Sequence, residues 1–177
     1  NLVKGKPRTA LDNQTTTIGL AVAQTIKKHS VSINAQSSQF RDKNRLAHDL
    51  DTTTVGLSSN FRLPRNRGAA LGVTSSETKD RFDGSKRTSQ SLGPSLTLPI
   101  RSDWRGQFWG TYTTVKNTSP ALPADSRALA LNSEYTWSYS KQANVTFGVG
   151  ANMNKDKFSA LNTYNEVTAS LRYSYTF

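Results

Sequence analysis

Apolar and polar residues alternate with a period of two along almost the whole chain. Nine segments of about ten residues follow this pattern, with Gly, Ala, Ser, Thr and Asn at most of the intervening positions. Ile18, Leu20, Val22 and Ile26 are the apolar members of the first segment. Because alternate side chains of a strand point to opposite faces, the pattern predicts an all-β protein built of amphipathic strands over residues 14–177.

The length and polarity of these segments distinguish between two kinds of all-β protein. A water-soluble sandwich uses the same alternation, but its strands are typically ~5–6 residues long. Segments of ~9–11 residues match a tilted crossing of the hydrocarbon layer. The polar side of the segments also carries few charges, and the whole chain contains only three Glu. We therefore expect an antiparallel transmembrane β-barrel.

Short and long connections between the segments alternate strictly, as in outer-membrane barrels, where short periplasmic turns alternate with longer external loops. The short connections are predicted at 27–28, 64–67, 101–103 and 140–143, and the long ones at 41–49, 79–88, 115–127 and 154–164.

The composition excludes several other classes of protein. Hydrophobic residues make up only 34% of the 177 residues, and no apolar run approaches the ~20 residues of a transmembrane helix. The formal net charge of +11 raises the question of nucleic acid. The Lys and Arg lie mostly between the apolar segments, however, which favours a solvated rim over a nucleic-acid surface. We expect no nucleic-acid partner, and the absence of Cys removes thiolate chemistry.

The last segment ends on a terminal Phe with apolar or aromatic residues at every second position before it. It resembles the C-terminal signal strand of Gram-negative outer-membrane β-barrel proteins, which the barrel-assembly machinery reads. This resemblance implies a bacterial outer-membrane location, with outer-membrane lipid, lipopolysaccharide and the assembly machinery as partners. The residues that carry it are Val167, Ala169, Leu171, Tyr173, Tyr175 and Phe177.

Aromatic residues near the segment ends predict two interfacial belts. We expect Phe61, Trp104, Trp137, Tyr139, Tyr173, Tyr175 and Phe177 at the periplasmic interface, and Phe40, Tyr112, Phe158 and Tyr164 near the external one.

Nine crossings leave the strand count odd, whereas bacterial single-chain barrels usually have an even count. Residues 1–13 are predicted to be a loop or a truncated strand, so we expect at least ten strands or the C-terminal part of a larger barrel. Small inward residues favour a wide lumen that is solvated or holds a plug or an exported substrate. The predicted lumen-lining residues are Gly72, Gly93, Asn132, Glu134, Gly148, Gly150, Glu166 and Arg172. Pro94 and Pro99 predict a disturbed ladder or a bulge in their strand.

Candidate catalytic chemistry is sparse. His48 lies beside Asp49 and Asp51 in a predicted external loop, and His29 is predicted at a turn near the interface. No metal spacing, phosphate-binding loop or dinucleotide motif occurs in the sequence, so the sequence predicts no enzyme, no metal and no cofactor. The leading function is a transport or export channel. The alternatives are a self-contained small barrel with a structural, adhesive or lipopolysaccharide-associated role, and a hydrolase at the rim.

Overall fold

A computed structural model of the protein describes residues 13–42 and 49–176. Nine long β-strands and one 3₁₀ turn, Ala160–Asn162, occur in these residues. The strands are β1 (Asn13–Ile26), β2 (His29–Asp42), β3 (Leu50–Leu63), β4 (Arg67–Asp80), β5 (Lys86–Pro99), β6 (Trp104–Asn117), β7 (Ala124–Ser138), β8 (Ala143–Asp156) and β9 (Tyr164–Tyr175).

All nine strands form one sheet in which each strand pairs antiparallel with its neighbours in the chain. The register is unbroken from one edge to the other, and within the described residues β1 and β9 each pair with only one strand. The predicted all-β, antiparallel architecture is therefore confirmed, and the described strands form an open sheet. Asn13 already belongs to β1, whereas the rest of the predicted N-terminal loop lies outside the described residues.

The connections alternate in length as predicted, but the strands extend further into the long loops than the sequence pattern indicated. The described long connections shrink to 81–85, 118–123 and 157–163, and the short turns occupy 27–28, 64–66, 100–103 and 139–142. Lys27, Arg65 and Asn66 have positive φ, as tight turns between paired strands require. Below, the two ends of the sheet are called the short-turn end and the long-loop end.

The apolar face of the sheet consists of the residues predicted to contact lipid, and the register aligns them from strand to strand. Leu20 opposes Ala35, and Phe147 opposes both Tyr135 and Leu171. Leu20 is 69% exposed and Leu171 is 76% exposed, while the one buried hydrophobic residue of the described chain is Ala143. A sheet that exposes a contiguous apolar surface and covers almost none of it requires a nonaqueous partner.

The opposite, polar face is held together by hydroxyl groups that pair across neighbouring strands. Ser32 and Ser58 lie 2.7 Å apart, oxygen to oxygen, and Thr54 and Ser76 lie 3.0 Å apart. Cross-strand hydroxyl pairs of this kind stabilise an antiparallel sheet. Three further directly opposed pairs are Thr17 with Ser38, Thr52 with Thr78, and Thr136 with Thr146.

Pro94 of β5 interrupts the pairing with β6 without shifting the register, whereas Pro99 stays paired with Arg105. Leu71 of β4 opposes Pro94 in an unbroken ladder, whereas the ladder to β6 lacks the pairs between Leu92 and Ser95. The pairing resumes in the same register, so the local disturbance predicted at Pro94 is present and the alternative of a bulge was wrong.

Among the described residues, no helix has both the length and the apolar character that a membrane-spanning helix needs.

Candidate functional site

The polar face carries every residue that the sequence analysis assigned to a lumen. Cross-strand register brings Gly72 opposite Gly93, and Asn132 opposite Gly150. It also aligns Glu134 with Gly148, Asn152 with Glu166, and Thr146 with Arg172. The eight residues therefore share one face, and the assignment of that face to a lumen stays a prediction.

The glycines of this face differ in the space around them. At Gly72 and Gly93 the nearest atoms to an added Cβ would be backbone oxygens at 3.8–3.9 Å, so the sheet surface is bare there. At Gly148 an added Cβ would lie 2.7 Å from Ser170 Oγ, and at Gly150 it would lie 2.7 Å from Asn132 Oδ1. The surface is therefore not equally bare at all these glycines, since in β8 neighbouring polar side chains fold over them.

A group of basic residues lines a cavity at the short-turn end of the sheet, and two of them, Arg62 and Arg105, belong to the polar face. Arg62 and Arg105 line a cavity of about 680 Å³ together with Lys28 and Arg67. A second cavity of about 660 Å³ shares Lys28 and Arg62 and continues past Ser95 towards the middle of the sheet. Within the described residues, none of these four cations forms an ion pair or a side-chain hydrogen bond.

Aspartates occupy the long-loop end of the same face, and two of them shape loops. The Asp80 carboxylate accepts the Phe82 N–H at 2.7 Å, and the Asp156 carboxylate accepts the Phe158 N–H at 2.9 Å. Such contacts two residues along the chain are Asx turns, which begin loops. The polar face thus runs from loop-forming acids at one end to unpaired bases at the other.

Apart from Arg87, which opposes Thr78 on the polar face, the strand cations of the long-loop end lie on the other side of the sheet. Arg41 and Arg81 both bind the Asp51 carboxylate, and Lys86 Nζ lies 2.8 Å from Glu77 Oε2. Strand register places the pairing groups on the margin of the apolar face, and Arg81 follows β4 in the adjoining loop. The same margin carries Lys79, Lys116, Arg127 and Lys155.

An aromatic girdle follows the short-turn end of the apolar face. The rings of Trp104 and Trp137 stack with centroids 5.8 Å apart, and Tyr139 contacts Trp137 at 5.5 Å and Tyr173 at 6.5 Å. The Tyr139 hydroxyl donates to the Tyr173 hydroxyl at 3.0 Å. This hydrogen bond raises the pKa of the Tyr139 phenol above its ordinary value, with a smaller contribution from desolvation.

The predicted second belt was wrong in part. Register places Phe40 and Tyr164 on the polar face, because Phe40 opposes Leu50 and Tyr164 opposes Asn154. Tyr112 does lie on the apolar face, opposite Leu129, and Phe158 lies in a loop. Aromatic residues occur at both ends of the sheet, but only at the short-turn end do they lie together on one face. Phe177 lies outside the described residues.

His29 is the one histidine among the described residues, and it packs against an aromatic ring. His29 begins β2 and packs its ring 5.6 Å from that of Phe61. His48 lies outside the described residues, so its neighbourhood with Asp49 and Asp51 is not brought to a test. In the part of the chain that is described, no three His, Asp or Glu side chains form a metal-binding group.

The comparisons with known proteins identify the architecture. No family model and no curated protein matches the chain. A solved structure described as outer-membrane expressed OmpT of Vibrio cholerae superposes with a TM-score of 0.61 at 10% sequence identity. The alignment covers 89% of this chain and 53% of that one, so the chain spans about half the length of its structural neighbour.

The fold is that of an outer-membrane β-barrel. The described strands form an open nine-stranded section of it. The prediction that the chain is no enzyme requires correction. The solved structure it resembles is an OmpT, and likeness at 10% identity shows the fold alone. The enzymatic status of the chain therefore does not follow from its fold, and excluding an activity from the sparse motifs was wrong.

The sequence analysis did not group the basic residues of the short-turn end. Arg62 and Arg105 are 43 positions apart in the sequence, and they come to one cavity because β4 and β5 bring only Gly68 and Thr97 between them. Counting positions from each short turn would have placed both near the same end of one face. The outward Arg and Lys residues had been assigned to loops, but most of them belong to the strand ends.

Proposed function

We propose that the chain is a barrel section of the bacterial outer membrane whose polar face lines a passage for small polar solutes. The observation that carries this proposal is the contrast between the two faces of one continuous sheet. The apolar face is exposed and nearly uncovered, while the other face presents Ser, Thr, Asn and Gly along every strand. Such a sheet suits lipid on one side and water on the other.

Planar-bilayer recording of the purified full-length protein tests the passage. We expect discrete conductance steps that decrease when Gly72 or Gly93 is replaced by Trp, because the sheet is bare at these positions. Leu71→Trp is the matched control, since Leu71 neighbours Gly72 but lies on the apolar face. Equal conductance in the Gly72→Trp and Leu71→Trp variants would contradict a passage along the polar face.

Assembly into the outer membrane is proposed to use the last strand as its recognition element. Val167, Ala169, Leu171, Tyr173 and Tyr175 lie in β9 and share the apolar face. The free edge of β9 within the described residues leaves its backbone groups available for pairing. We expect deletion of Phe177 to slow insertion and leave periplasmic aggregates. Unchanged heat-modifiable mobility of the deletion variant would oppose this role.

Lipopolysaccharide is the proposed partner of the outward margin at the long-loop end. Arg127 and Lys155 directly oppose one another across β7 and β8, and within the described residues neither forms an ion pair. Like charges at opposed positions are unfavourable unless an anion lies between them. Leu129 and Met153 continue the surface below them, as an amphiphile with a phosphate head and acyl chains would require.

Co-purified lipopolysaccharide provides the test of this contact. The double variant Arg127→Gln and Lys155→Gln should retain less of it through detergent washing than the unchanged protein. Lys27→Gln with Lys141→Gln removes the same charge at the short-turn end and serves as the control. If both double variants lost the same amount of lipopolysaccharide, the loss would reflect only the lower net charge and would contradict a specific contact.

A structural barrel is the second candidate function. The side chains that fold over Gly148 and Gly150 favour it, since they begin to fill the space above β8. A density map of the whole protein with side chains packed across the interior would support this candidate and oppose the passage.

A further inference from the structure

We propose that the basic group at the short-turn end of the sheet is a binding site for small phosphate-bearing anions. The group consists of Arg62 and Arg105 on the polar face, Lys28 in the turn before β2, and Arg67, which lines the same cavity although it opposes Leu63 in the register. This inference rests on the proposed passage and names the class of solute that the passage would select.

The geometry of the group follows from four neighbouring strands. Arg62 of β3 opposes Gly68 of β4, and Gly68 opposes Thr97 of β5. Thr97 opposes Gln107 of β6, and Arg105 lies two pairs closer to the short turn, opposite Pro99. Three strand spacings of ~4.8 Å and this two-residue offset put the two arginine backbones roughly 16 Å from one another. Long side chains can approach from both sides of such a gap.

The sheet surface between the two arginines carries only small side chains and is open. A Cβ added at Gly68 would meet no atom within 4 Å, and Thr97 contributes one short side chain. The resulting cavity of about 680 Å³ is sufficient for a solute as large as a phosphorylated sugar. The hydroxyls of Thr97 and, in the adjoining cavity, Ser95 are available as neutral donors.

No carboxylate lines either cavity. The nearest acidic group by position is Asp103, which lines a third cavity with Arg105. Its carboxylate accepts the indole N–H of Trp137 at 3.1 Å and forms no ion pair within the described residues. Glu134 lies one strand beyond β6, opposite Gln107, and is likewise unpaired in the described chain.

Uncompensated cations that converge on one cavity repel each other, so the arrangement gains stability when an anion enters. Guanidinium groups present two parallel donors that match phosphate oxygens. The contrast with the long-loop end is informative, because there Arg41 and Arg81 already share the Asp51 carboxylate as an ion-pair partner. The cations of the short-turn end have no such protein partner, and a dissolved anion is the group that complements them.

Calorimetric titration of the detergent-solubilised full-length protein with inorganic phosphate and pyrophosphate tests the site. We expect saturable binding that weakens by on the order of tenfold or more in the double variant Arg62→Gln and Arg105→Gln. Arg87→Gln is the matched control, since Arg87 lies on the polar face at the long-loop end. The variant Arg62→Lys with Arg105→Lys should keep the charge, lose the paired donors and bind with intermediate affinity.

Ion selectivity separates this inference from the proposed passage. Reversal potentials in a KCl gradient should show anion preference that the double Gln variant loses and Arg87→Gln keeps. Saturable phosphate binding without any conductance would refute the passage and retain the anion site. Conductance with cation preference, or phosphate binding equal in the double Gln variant and the unchanged protein, would overturn the anion site.

Discussion

The two ends of the sheet are both rich in Arg and Lys, yet they use these residues in different ways. At the long-loop end most strand cations lie on the margin of the apolar face, and Arg41, Arg81 and Lys86 are held in ion pairs. At the short-turn end Arg62 and Arg105 lie on the polar face and have no ion-pair partner within the described residues. The basic residues of the sheet thus contribute to two different surfaces, one at each end.

The parity of a position within its strand decides which surface a charge joins. A shift of one residue moves a side chain to the opposite face of a sheet. Arg127 and Ser126 are neighbours in β7, but Arg127 meets Lys155 on the apolar margin while Ser126 meets Asp156 on the polar face. The position within the strand also decides the face of each aromatic residue. At the short-turn end these positions bring the aromatic residues to one face, where they form the girdle.

The largest expected effect comes from placing a charge on the apolar face, midway between the two ends of the sheet. Leu131→Arg or Phe147→Arg should destabilise the protein in bilayers by ~2–4 kcal/mol, because each side chain lies on the apolar face. Asn132→Arg is the control, since it adds the same side chain next to Leu131 but on the polar face. Urea unfolding from lipid vesicles measures both. An equal loss for Leu131→Arg and Asn132→Arg would remove the distinction between the faces.

A smaller effect should distinguish the two aromatic levels. Trp137→Ala removes the stacking with Trp104 and the hydrogen bond to Asp103, and should cost about 2 kcal/mol. Phe158→Ala at the long-loop end should cost well under that amount, because Phe158 lies in a loop and is 56% exposed. The same unfolding assay compares them, and a greater loss for Phe158→Ala would invert the order of the two ends.

The smallest effect is expected at the paired cations. Glu77→Gln removes the partner of Lys86, and since both side chains are about half exposed, the cost should be ~0–1 kcal/mol. Thermal unfolding at low and high salt measures it, and the difference between Glu77→Gln and the unchanged protein should diminish as salt increases. A loss above ~2 kcal/mol that is independent of salt would show that Glu77 has a packing role.

Much of this arrangement is predictable from the sequence because a period of two directly reports the face of each residue. The strands, their order and the short turns follow from it, and so does the common face of Gly72 and Gly93. Counting from the short turns places Arg62 and Arg105 at the same end of one face, but the cavity that they share depends on the register across β4 and β5. Phe40 and Tyr164 were misassigned because they were placed in the belt by their nearness to a strand end alone. Whether each position is odd or even in its strand, which decides the face, was not considered.

The packing of neighbouring side chains could not be predicted from the alternation of apolar and polar residues. Gly148 and Gly150 alternate like the other inward glycines, yet Ser170 and Asn132 fold over them. The rotamers of neighbouring side chains determine this, and the alternation of residue types carries no information about rotamers. The long loops were overestimated for a related reason, since polar residues at strand ends resemble loop residues in sequence.

Site-directed spin labelling along β7 tests the central claim, that one face of the sheet contacts lipid and the other contacts water. Labels at 129, 131, 133 and 135 in the membrane-embedded protein should be accessible to oxygen, and labels at 128, 130, 132 and 134 to a polar nickel chelate. The account predicts an alternation with a period of two over these positions. Polar accessibility at 131 with lipid accessibility at 132, or no alternation at all, would contradict it.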